Sequence, residues 1–242
     1  METTTITSNR TLSERRFYSA MAIAILMSVL VGFGRSFFLR PLFPERPSPA
    51  EPIFYIHGVA FTLWIFVFLV QVTLISRAHA TAHKKIGVVS AFLVLTMIVL
   101  GIMGALTAAS RSTGFVGIPV PPLQFLAIPL FDMIIFPAFI VMAYIRRHNA
   151  QSHKRWMVLA TLNLITAAIA RWPIVDSLGP LAYFGITDLF VIALALWDYR
   201  SLGRIHSVTL WGGLLMILSQ PLRLIVSGTS GWLAFAQWAT GQ

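Results

Sequence analysis

No cysteine occurs in the 242 residues of the chain. Its absence excludes disulfides, thiolate metal sites, haem attachment through a CxxCH motif and a cysteine nucleophile. Charge is also scarce. Asp, Glu, Lys and Arg together make up 11% of the sequence, and only eight residues are acidic. So little charge, beside 57% hydrophobic residues and a mean hydropathy of +0.79, excludes an ordinary soluble domain. The signatures of common enzyme sites are missing too. There is no G-x-S-x-G, P-loop, dinucleotide-binding glycine fingerprint, HExxH or cysteine–histidine zinc motif.

What the sequence does contain is a series of long apolar runs. A helix rising ~1.5 Å per residue needs ~20 residues to cross the hydrocarbon of a bilayer. Runs of that order fall near 17–39, 53–75, 86–108, 122–145, 156–175, 180–197 and 207–226. They predict an all-α fold, a polytopic membrane bundle of seven transmembrane helices within 17–228. Residues 1–16 form a short segment before it. Residues 229–242, with the tryptophan-rich GWLAFAQW, form a tail expected to lie in the membrane interface. The first run outlines a signal sequence. It is too long for one, lacks a small-x-small cleavage site and is followed by more spans, so it reads as an uncleaved first helix. None of these runs carries a lysine, which argues against a retinal Schiff base.

Lysine and arginine set the expected orientation. One set of connections carries Arg10, Arg15, Arg16, Arg77, Lys84, Lys85, Arg146, Arg147, Lys154, Arg155, Arg200 and Arg204. The other carries Arg35, Arg40, Arg46 and Arg111. The excess places the N-terminus in the cytoplasm and the C-terminus outside. It also accounts for most of the net charge of +10, as a cytoplasmic rim against anionic lipid. No basic soluble domain is left over to bind nucleic acid. The expected partners are the lipid bilayer, a small-molecule ligand, and another membrane protein or a second copy of the chain.

Three of the cytoplasmic turns share a pattern, R-x5-H: RAHATAH from Arg77, RHNAQSH from Arg147 and RSLGRIH from Arg200. Recurrence at alternate turns suggests three related hairpins added to the first helix. Capping or anchoring of the turns is one role for the histidines. Convergence of His83, His153 and His206 at one level is the other. Three imidazoles would suit zinc, and two would suit the axial positions of haem b.

Ionisable residues inside spans are expensive and usually face the bundle interior. Asp132, Asp188, Arg171 and Arg223 are the inward candidates here, and His57 lies near the outer end of its span. Pro129 and Pro137 flank Asp132 and can free backbone carbonyls toward a cavity. A polar chamber in the outer half is therefore expected, lined by His57, Asp132, Arg171, Asp188 and Arg223, with Gln124 and Gln220 at its mouth. Two Asp–Arg pairs that only lock helices together would use the same residues.

The stretch HGVAFTLWIFVFLVQ (57–71), followed by RAHATAHKKIG (77–87), resembles a broad group of uncharacterised bacterial multi-pass inner-membrane proteins. Their hairpins carry histidine, a later glutamine and an R-x5-H-(K/R)-(K/R)-x-G turn. The segments DMIIF, HKRWM, RWP and SQPLRL resemble the group as well. The resemblance implies a bacterial inner (cytoplasmic) membrane protein and no particular activity. The residues themselves favour binding or transport of a small polar or anionic ligand, or of a proton. The alternatives are a haem- or metal-binding redox module using the turn histidines and a structural subunit of a membrane complex. An intramembrane zinc hydrolase or an oxidoreductase is the enzymatic reading, and it is not favoured.

Overall fold

The computed structural model describes residues 2–45, 51–116, 118 and 120–242. The described residues are helical throughout their regular structure. In chain order the helices are α1 (Glu2–Phe33), α2 (Pro52–Ser76), α3 (Ala80–Ser110), α4 (Pro122–Phe125), α5 (Ala127–Ile145), α6 (Ala150–Ile169), α7 (Val175–Leu178), α8 (Pro180–Leu202), α9 (Ser207–Ser227) and α10 (Ser230–Thr240). A π-helical turn, Gly34–Phe38, extends α1.

Local chemistry fixes several boundaries. Asn149 opens α6, its side chain accepting from the Ser152 N–H at 3.0 Å. Thr229 opens α10 by accepting from the Trp232 N–H at 3.2 Å. Gly203, at φ +71°, ends α8 in the left-handed conformation that glycine adopts without steric cost. The fifth predicted span is shifted. The helix expected over 156–175 runs Ala150–Ile169 instead, because the Asn149 cap starts it early and Pro173 disfavours helix at the residue before it. Arg171 therefore lies just past the helix. The tail also contains α10, whose Ala236 is fully buried and whose Trp232 indole donates to the Leu123 carbonyl at 2.8 Å.

Six helical segments are long and apolar enough to cross a membrane: Leu12–Phe38, Pro52–Ser76, Ala80–Ser110, Pro122–Ile145, Pro180–Leu202 and Ser207–Ser227. The 20-residue α6 is not among them. Its first turns carry Ser152, His153, Lys154 and Arg155, and its middle carries Thr161, Asn163 and Thr166. The fold explains this polarity. Helix α6 packs against α1, α5, α8 and α9, so neighbouring helices surround it. Leu159, Leu162, Ile165 and Ile169 are buried to within 1% of complete, and so are Ala160 and Thr161. By contrast α3 turns Val88, Val89, Phe92 and Leu95 outward, each at least 61% exposed. The surface of the bundle is thus more apolar than its axis, as expected where lipid surrounds the bundle and polar side chains pair inside.

Close approach at the axis depends on small residues. At Gly32, where α1 crosses α6, an added Cβ would collide with the Ala168 backbone carbonyl. At Gly212, where α9 meets α6, it would come within 2.6 Å of Leu159. The three R-x5-H turns join α2 to α3, α5 to α6 and α8 to α9, and all lie at one end of the bundle, called here the turn end. The start of α1 lies at that end too, through an ion pair between Glu14 and Lys154.

Candidate functional site

The loop end of the bundle gathers a polar cluster from four helices. On α9, Ser219 and Arg223 are four residues apart and so share a face. Arg223 is 2% exposed. Its Nη1 donates to Asp132 Oδ1 on α5 at 2.7 Å, and its Nη2 donates to Ser219 Oγ at 3.0 Å. The guanidinium lies 5.8 Å from the ring centres of both Phe131 and Phe184, an apolar collar that holds it in place. Asn163 of α6 donates to the Asp132 backbone carbonyl at 3.3 Å. One turn deeper on α9, the 6%-exposed Gln220 donates to Asp188 Oδ1 of α8 at 2.8 Å. Asp188 is half-buried, and among the described residues no lysine or arginine pairs with it.

The other predicted chamber residues lie apart. His57 packs between α2 and α3, stacked on Phe61 at 4.0 Å with its Nδ1 3.4 Å from the Leu100 carbonyl. Arg171 donates to the Ala167 carbonyl at 2.6 Å and lies over the Phe33 ring. Gln124 sits on the short α4 beside Leu123, whose carbonyl takes the Trp232 indole. Among the described residues no hydrogen bond or ion pair joins any of these three to Asp132 or Asp188. The assembled groups are therefore Asp132 and Arg223 with Ser219 and Asn163, and, one turn along α9, Asp188 with Gln220; Arg171 joins neither. Cavities of about 310 Å³ beside Trp172 and about 460 Å³ beside Trp238 are walled mainly by apolar side chains and touch none of the predicted site residues.

At the turn end the three histidines divide. His83 and His153 are each the fourth residue of their helix, and their rings meet edge to face with centres 6.2 Å apart. His206 is instead the cap of α9. Its Nδ1 accepts from the Val208 N–H at 3.1 Å. The difference traces to Gly203, which ends α8 and shifts the third hairpin so that its histidine precedes the next helix. The expected convergence of three imidazoles is thus a pair and a separate cap. Among the described residues no group of three or more His, Asp and Glu side chains is placed to hold a metal ion.

A further cluster joins Arg155, one of the arginines that mark topology, to Asp198. Arg155 and Asp198 are 1% and 0% exposed. Asp198 accepts from Arg155 Nε at 2.9 Å and from Arg155 Nη2, from the His206 N–H at 3.2 Å and from Thr209 Oγ1. Arg155 Nη1 is taken up by Gln151, through its backbone carbonyl at 2.7 Å and its side-chain oxygen at 2.8 Å. A sequence signal did exist. The buried face of α8, Phe184, Thr187, Val191 and Leu194, continues at helical spacing to Asp198. Burial holds the His206 imidazole below its usual value, and the nearby Arg155 charge acts the same way, against the raising effect of Asp198.

Comparison with protein-family models, with curated proteins and with solved structures finds no match to the chain.

Proposed function

We propose that the chain is a seven-span bacterial inner-membrane protein, N-terminus in the cytoplasm and C-terminus outside, that moves protons through the cluster around Asp188. Helix α6 is the seventh span. Its 20 residues rise about 30 Å, the depth of a hydrocarbon core, and its polarity is shielded by the helices around it. The skew of lysine and arginine supports the orientation, and the resemblance of the 57–87 hairpin supports the membrane.

The observation that carries the functional reading is Asp188. A carboxylate inside a bundle is costly unless it is paired. Asp188 has an amide partner, Gln220, and no cation, so it can gain and lose a proton without breaking an ion pair. Arg223 and Asp132, one helical turn away along α9, form a pair that neutralises its own charge and leaves the exchange to Asp188. The cluster holds more carboxylate than guanidinium, which favours a proton over an anion as its cargo.

The test is proton flux in proteoliposomes containing a trapped pH-sensitive dye, driven by an imposed pH gradient. The full chain should carry protons, and Asp188→Asn should abolish the flux while leaving the protein folded. A full-length protein that carries none, or an Asp188→Asn variant that carries as much, overturns the reading and leaves the cluster a structural lock.

A further inference from the structure

Independent of the proton reading, a second set of side chains at the turn end has the makings of a ligand site. His153 Nδ1 lies 2.9 Å from the Ala143 backbone carbonyl. A carbonyl only accepts, so Nδ1 bears a proton, and the neutral ring carries its lone pair on Nε2. This is the arrangement that metal-binding histidines commonly show, with the second nitrogen tied to a carbonyl that fixes ring and tautomer. Facing it, His83 Nδ1 is buried and makes no hydrogen bond. Its ring lies near the backbone of Gln71. The Gln71 side-chain oxygen is likewise buried without a partner. Its amide nitrogen lies 3.6 Å from where a Cβ on Gly87 would be, so the glutamine packs on the face of α3 one turn beyond His83.

Buried polar atoms left unbonded are costly. Two of them here adjoin a histidine whose free lone pair is preset. Their donor types, two imidazole nitrogens and an amide oxygen, are ligands for a divalent transition metal. The amide explains why a cluster of His, Asp and Glu alone does not mark the place. The flanking ammonium groups do not fill it, since Lys84 and Lys85 are exposed and Lys154 pairs with Glu14. Two imidazoles on one tetrahedral zinc have ring centres about 5 Å apart, so the ion would draw the rings together by about 1 Å. Rotation of His83 and Gln71 supplies that, because neither uses the relevant atom elsewhere.

We propose that Gln71, His83 and His153 bind one divalent transition-metal ion of the zinc class at the turn end, with the remaining coordination position open to water. His206 takes no part, because its Nδ1 caps α9.

The experiment uses the full chain, purified in detergent without a histidine tag, stripped with chelator and titrated with Zn²⁺ and with Co²⁺. Bound metal is counted by mass spectrometry, and the visible bands of Co²⁺ report its ligands. One equivalent should bind. His83→Ala and His153→Ala should each weaken binding by at least about tenfold, and His206→Ala should leave it unchanged. Gln71→Glu, which keeps the shape and adds a charged oxygen, should tighten binding, and that gain cannot arise from misfolding. Failure of the wild-type chain to bind stoichiometrically overturns the proposal. So does equal loss in His206→Ala, or a folded Gln71→Glu that binds no more tightly.

Discussion

Among the described residues, the two buried ion pairs of this bundle cost similar charges but are finished differently. At the turn end, Asp198 takes four hydrogen bonds and Arg155 gives its remaining amino group to Gln151, so the network is closed. At the loop end, Arg223 and Asp132 satisfy each other, but Asp188, held from one turn along α9, accepts one bond from a neutral amide. The closed network joins α6, α8 and α9 and has no capacity left over. The open one has a carboxylate in reserve. A buried pair alone is weak evidence of function. What separates lock from site is whether any charge remains uncommitted once the hydrogen bonds are assigned.

The comparison breaks most sharply at Asp198. Replacing it with alanine leaves a 1%-exposed guanidinium without its carboxylate partner. Loss of one partner of a buried pair costs about 3–5 kcal/mol, and the variant should melt about 10 °C or more below the parent in detergent. A drop of a degree or two would show that water reaches Arg155 and that the network is not closed. The double change Arg155→Met with Asp198→Leu should recover most of the loss, since an apolar pair of similar volume removes both desolvation costs.

Arg223→Leu should have the next largest effect. It strands Asp132, whose side chain is 13% exposed, more open than Asp198 at 0%. The expected cost is about 2–3 kcal/mol, below that at Asp198, because a partly accessible carboxylate can be neutralised by a proton. If thermal denaturation ranks Arg223→Leu as the more damaging, the loop end is the tighter of the two regions and the contrast is reversed.

Asp188→Asn should scarcely change stability, by less than about 1 kcal/mol, since asparagine can keep the Gln220 bond through its carbonyl oxygen. The same variant is the one expected to lose proton flux. Stability kept and flux lost would set Asp188 apart from Asp198. A large fall in melting temperature would instead make Asp188 a second lock.

The loop-end charges were legible because an Asp or Arg in the middle of an apolar run has no bland explanation there. Asp132, Asp188 and Arg223 stand out that way, as does Arg171, although it lies beyond the end of α6; Gln220, expected at the mouth, is instead buried against Asp188. Arg155 stands in HKRWM, where a basic charge also sets topology, and Asp198 stands at the end of its apolar run in WDYR. Depth along a run does not separate a buried residue near its edge from the solvated rim. Periodicity on α8 carries the missing information, since it places Asp198 on the buried face regardless of depth. Helix α6 illustrates the same limit. Its Asn163 and Thr166 lower its hydropathy because its environment is other helices, and the sequence of one helix does not state what surrounds it.

The smallest effect expected is at His206, which links the closed network to pH. Its imidazole is held below the usual value, first by burial and then by Arg155. A histidine that binds its proton less readily folded than unfolded contributes stability above its unfolded pKa, and loses it as the pH falls toward the folded value. Protonation would also remove the acceptor that caps α9 through the Val208 N–H. The melting temperature should therefore decline slightly between pH 7.5 and 5.5. His206→Asn keeps a capping acceptor that does not titrate and should flatten that decline by less than about 2 °C. The backbone N–H of residue 206 still reaches Asp198 in this variant, so the lock is unchanged and the pH slope isolates the cap. A slope that stays the same would place the acid sensitivity in other groups and leave His206 a cap whose protonation has no consequence for the fold.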